Sequence, residues 1–185
     1  MIACAREKGS SGVGSDTLGV AHTASKAEKQ CGDEFIGDEG IGMLAIGTRI
    51  DSVRAVCNVV SDTTVRGSEG MMERRAAVTF GSDTVMAEIV DDRVWRIRVT
   101  SPRFRSRDSL GVGTPLERLL ALDDPRGLTG EGRLVLLSPD HCGLSFGLSQ
   151  TFSGAPPQQI RRADFARLPR TTTVKDILII GCPND

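Results

Sequence analysis

The run Asp140-His141-Cys142 brings together a carboxylate, an imidazole and a thiol, the groups of a thiol enzyme or a small hydrolase. The spacing argues against that chemistry. Neighbouring residues of an extended segment point to opposite faces, so His141 is poorly placed to take a proton from Cys142. Ser138-Pro139 just ahead of them predicts a turn. With two histidines and no tyrosine, the chain offers few other groups for general acid–base work. The pairs Asp91-Asp92 and Asp123-Asp124 could hold a cation, but both fall between elements and read as solvated turn carboxylates. The glycines between positions 37 and 47 lack the Gly-Lys-Ser/Thr of a phosphate loop. No cysteine pair has the short spacing of a zinc site. The expectation is a protein with no catalytic residues, no cofactor and no metal. A thiol enzyme or hydrolase built on His141 and Cys142 is the alternative.

Arginine is the more unusual signal. Arg93, Arg96, Arg98, Arg103, Arg105 and Arg107 lie within one short stretch that holds no acid. In a strand, Trp95, Ile97 and Val99 would face the core, and Arg96 and Arg98 the other side. Trp95 and Phe104 would add aromatic contact, the mixture found at binding hot spots. Glu88 could neutralise part of the charge across the sheet. Arg96, Arg98, Arg103, Phe104 and Arg105 are therefore the predicted surface for a protein or anionic partner, against the plainer reading of a solvated strand face. Nucleic acid is not expected as a partner, because the formal net charge is −1.

Such residues need elements to hold them. The chain has 185 residues, 39% of them apolar and 25% charged, which is about one globular domain. No apolar run is long enough to span a bilayer as a helix. Residues 1–35 are rich in Gly, Ser, Ala and Thr and carry three of the four lysines. Their apolar residues follow no period, and they read as a flexible tether.

Beyond the tether the sequence repeats. Ile46-Gly47-Thr48, Val53–Val56 and Val78-Thr79-Phe80-Gly81 each match a segment 66 residues on: Val112-Gly113-Thr114, Leu119–Leu122 and Leu144-Ser145-Phe146-Gly147. Thr114-Pro115-Leu116-Glu117 predicts a capped helix start, with Thr48 its counterpart. Ile50, Val53, Cys57 and Val60 would form one helix face. Strands are predicted over 75–80, 84–90 and 94–100, then over 132–137, 143–148 and 174–180, with a short helix over 159–168. The predicted fold is α+β: two tandem α-βββ repeats, 36–102 and 103–185, with antiparallel sheets and helices packed on one face. One folded domain would cover 36–183.

The Gly-hydrophobic-Thr pattern of Ile46-Gly47-Thr48 and Val112-Gly113-Thr114 resembles the group that holds the β-lactamase inhibitor protein and the small outer-membrane assembly lipoproteins. In that group such a turn leads into a short helix and an antiparallel sheet. The resemblance implies an extracytoplasmic protein that binds other proteins through its sheet or loops.

The five cysteines fit that compartment. Cys142 opens one predicted strand and Cys182 closes another, so antiparallel neighbours would bring the two sulfurs together. Cys31 and Cys57 are the other candidate pair. Met1-Ile2-Ala3-Cys4 resembles the end of a bacterial lipoprotein signal, which makes the odd cysteine, Cys4, the predicted lipidation site. The functional expectation is a non-enzymatic, exported binding module of the cell envelope, in contact with the membrane only through a lipid anchor. A cytoplasmic domain is the alternative.

Overall fold

The computed structural model describes residues 31–67, 70–130, 133–153 and 159–183; the predicted tether up to residue 30, with Cys4, lies outside them. Strands β1 (Phe35–Gly37), β2 (Gly40–Ile41) and β3 (Leu44–Ala45) lead into helix α1 (Ile50–Val56). Four long strands follow: β4 (Asn58–Arg66), β5 (Met72–Phe80), β6 (Asp83–Val90) and β7 (Arg93–Val99). The second part holds β8 (Arg105–Ser106), α2 (Leu116–Leu120), β9 (Arg126–Gly130), β10 (Arg133–Leu137), β11 (Leu144–Leu148), β12 (Ile160–Arg161) and β13 (Val174–Ile179).

These strands form two sheets. The large one has nine strands in the order β12-β9-β10-β11-β13-β7-β6-β5-β4, and the small one has four in the order β3-β2-β1-β8. Every pairing in the large sheet is antiparallel, whereas β1 and β8 pair in parallel. The α+β expectation is therefore corrected: the described chain is mostly β. The two α-helices have seven and five residues, too few to layer a nine-stranded sheet. The core is closed by these helices together with the small sheet and its loops, through Ile36, Ile41, Leu44, Phe104 and Leu110.

Several local expectations change with it. The helix face drawn through Val60 stops at Val56, and 58–66 is a strand. Val59, Val60, Thr63, Thr64 and Val65 are β-branched and favour a pleated strand over a helix. Residues 159–168 form β12 and a 3-10 turn rather than an α-helix. The threonines do not cap. The N-cap positions are Arg49 and Pro115, neither with a side-chain bond, and Thr114 Oγ1 instead accepts the Gly111 N–H at 2.9 Å.

The two Gly-Thr turns share one set of backbone bonds. Gly47 N–H donates to Val94 O at 2.8 Å, and Gly113 N–H to Val174 O at 2.8 Å. The return bonds, Val94 N–H to Thr48 O and Val174 N–H to Thr114 O, are both 2.9 Å. Each turn is thus stitched to the start of a central strand. The glycines sit at φ +78° and +86°, where a Cβ would clash with its own backbone.

Two disulfides fasten the body: Cys31–Cys57 with Cα atoms 4.4 Å apart, and Cys142–Cys182 with Cα atoms 5.0 Å apart. They close loops of 26 and 40 residues, worth roughly 3–4 kcal/mol each in the chain-entropy account. Structural disulfides persist in oxidising compartments, so the pair points to an extracytoplasmic protein. No helix among the described residues is long and apolar enough to cross a membrane.

Candidate functional site

Cross-strand partners share a face, so register decides what β7 presents. Ala77, Met86, Arg98 and Leu178 form one row across β5, β6, β7 and β13. Arg75, Glu88 and Arg96 form the next. All but Ala77 are partly exposed, while the alternating residues Ala76, Val85, Ala87, Ile97 and Val99 are core. Around β5, β6 and β7 the nine-stranded sheet thus has one face on the core and one open.

The arginines of this open face are held by acids. Arg96 Nε donates to Glu88. Asp176, almost fully buried, takes Arg133 at 2.5 and 2.6 Å and Arg98 at 3.4 Å. Gly147 leaves room for this triad. A Cβ there would lie 2.0 Å from Asp176 Oδ1 and 3.0 Å from Arg133 Nη2. The guanidinium charge is therefore largely neutralised in place.

Trp95 departs from the inward orientation that strict alternation predicts. The register of β6 and β7 shifts between Glu88 and Ile89: Glu88 faces Arg96, and Ile89 faces Val94. Trp95 is the extra residue of a β-bulge, so the alternation restarts and the indole leaves the core. It is 60% exposed, and Val94 takes its place inside. Ile180, just past β13, is a second exposed apolar side chain near this face.

The rest of the predicted surface does not join it. Phe104 is fully buried, edge-on to Phe80 with ring centroids 5.6 Å apart, and offers nothing to a partner. Arg103 lies on the loop after β7 and chelates Glu34 at 2.8 Å through Nε, with Asp83 at 3.4 Å. Arg105 belongs to the small sheet and donates to Thr114 Oγ1 at 3.2 Å. Arg96 and Arg98 share the open face; Arg103 and Arg105 brace the second sheet. The bulge that frees Trp95 leaves no signature in the residues of β7 alone.

A second candidate region surrounds His141. Its ring is edge-on to Phe146, its Nε2 lies 3.0 Å from Asp108 Oδ2 and its Nδ1 3.9 Å from Asp38 Oδ1. His141, Asp108 and Asp38 line a cleft of about 620 Å³ that also holds Asp33, Glu39, Asp140 and Arg107. Burial raises the Asp108 pKa, but hydrogen bonds from Ser106 and His141 outweigh it and hold the carboxyl below its usual range. Cys142 is bonded to Cys182, so no thiol stands beside His141 and the thiol-enzyme alternative loses its nucleophile. Asp38 lies within 4.8 Å of both sulfurs, yet each sulfur is committed to the other, which leaves a single carboxylate and no metal-binding set.

No protein-family model and no curated protein sequence matches this chain. Among the solved structures with a similar fold is the uncharacterized protein yfeY from Escherichia coli, at 13% identity, over 78% of this chain and 98% of that one, with a TM-score of 0.53. At that identity the likeness is one of architecture alone.

Proposed function

We propose that this chain is a lipid-anchored binding module of the bacterial cell envelope that docks a protein partner on the open face of its nine-stranded sheet. The observation that carries the reading is Trp95, turned outward by a bulge beside Arg96 and Arg98. An exposed indole next to guanidiniums is the composition of a protein-binding hot spot. Glu88 and Asp176 already compensate those guanidiniums, which favours a mixed apolar and polar protein surface over a polyanion. The two disulfides support export, and Cys4 supplies an acylation site at the head of the tether. Kinship with the β-lactamase-inhibitor-protein group, carried by the two Gly-Thr turns, is part of the same proposal.

The test is a photo-crosslinking amino acid at position 95 in the intact cell, with the exposed Arg170 as the control position. A discrete adduct is expected from position 95, and the change Arg96→Ala with Arg98→Ala should reduce it several-fold while leaving the fold intact. Adducts from position 170 but none from 95 would place the partner elsewhere. Palmitate labelling should be lost in Cys4→Ser; labelling of neither protein would remove the anchor.

A further inference from the structure

The nine-stranded sheet ends in two unlike edges. One edge is β12, only two residues long. The other is β4, nine residues with a neighbour on one side only among the described residues. Natural sheets guard long edges with lysine, proline, short strands or a covering segment. Asn58–Arg66 contains neither lysine nor proline. Its one acid, Asp62, is turned inward onto Arg54 and Arg74. Besides that inward-turned acid, the edge carries a bulge at Val60, which affects one end.

Exposed apolar side chains gather along this edge. Val56 and Val60 lie at its base, and Val65, Met71 and Met72 at the hairpin tip. In an antiparallel pairing of β4 with itself, the base of one strand lies against the tip of the other. Both apolar ends are then covered by each other.

We propose that β4 pairs with β4 of a second copy, joining two nine-stranded sheets across a two-fold axis at Thr63. Such an axis runs normal to the sheet and passes through a residue, because opposed residues must share a face. Centring on Asp62 would set two carboxylates directly opposite each other. Centring on Thr64 would bring Arg66 against Asp62, which already holds two guanidiniums. Centring on Thr63 pairs 61–65, clear of the bulge at Val60, sets Ser61 against Val65 and Asp62 against Thr64, and places no like charges opposite. The threonine pair at the axis is itself a favourable cross-strand contact.

The register gives a sharp test in the full chain carrying Cys4→Ser. Sedimentation equilibrium should show a reversible monomer–dimer exchange. Thr63→Cys should form a disulfide-linked dimer on mild oxidation, since opposed Cα atoms lie about 4.5–5.5 Å apart. Val65→Cys should not, because its own copy is displaced by four residues, about 13 Å. Thr63→Lys, which opposes two ammonium groups at the axis, should weaken the dimer at least tenfold while circular dichroism stays unchanged. A monomer up to millimolar concentration overturns the proposal. So does a dimer that survives Thr63→Lys, or one that cross-links equally through position 65. Protection of the outward-pointing β4 amides, those not bonded to β5, from hydrogen exchange in a dilute monomer would also overturn it, by showing that another part of the same chain covers the edge.

Discussion

Gly147, which the sequence marks only as the repeat counterpart of Gly81, sets the polar layout of the open face. Any side chain there meets the Asp176 carboxylate at 2.0 Å. Asp176 cannot retreat, because it is buried among its own strand neighbours and holds Arg133 and Arg98. Gly147→Ala should therefore destabilise the protein by about 2 kcal/mol, the cost of overpacking, read as a shift in urea midpoint. Asp62 makes a different prediction. Bidentate hydrogen bonds from Arg74 at 2.8 Å, with help from Arg54, hold its pKa below the ordinary 3.8 although burial pushes the other way. A carboxyl depressed on folding contributes stability that is complete above its unfolded value and is lost as the pH falls through its folded value. Wild-type stability should therefore drop as the pH falls below 3.8, and Asp62→Asn should flatten that acid limb while lowering stability at neutral pH. Urea titrations at several pH values read both effects. An acid limb of equal slope in the variant would reassign the drop to Asp83 and Asp108, whose carboxyls are also held low.

Helices and strands are legible in the sequence to different degrees, for physical reasons. The glycines of the two turns stand out because a positive φ excludes other residues. At Gly113 nothing lies within 4 Å of the place a Cβ would take, so Gly113→Ala should cost only backbone strain, about 1–2 kcal/mol. Calorimetry should show that loss as a lowered Tm. The strands over 75–80, 84–90 and 94–100 follow from β-branched alternation, and β5, β6 and β7 lie there. Strand β4 is hidden because Ile50, Val53, Cys57 and Val60 also satisfy a helical spacing, although the chain turns extended at Cys57. The orientation of Trp95 is hidden because a bulge belongs to a pair of strands, not to one. The open face is thus half visible: spacing places Arg96 and Arg98 on it, but not the indole beside them. Phe104, an aromatic among arginines, looks like a surface residue and is core.

Taken whole, the molecule is one large sheet bent around a core that its helices cannot close unaided. The small sheet does the rest, and β1 with β8 ties the start of the folded body to its middle. The Cys31–Cys57 bridge ties the same start to the root of β4, and Cys31 is buried four residues ahead of β1. That bridge also sets a mechanical path. Tension applied from the N-terminal side reaches Cys31 and crosses the sulfur–sulfur bond directly to Cys57. Residues 32–56, including β1, β2, β3 and α1, then hang in a covalently closed bypass that carries no load. The pull is delivered to the root of β4 instead. A protein hauled by a leash at that end would yield by unzipping the outer edge of its large sheet, and the three strands β1, β2 and β3 would be spared the load until the disulfide was reduced.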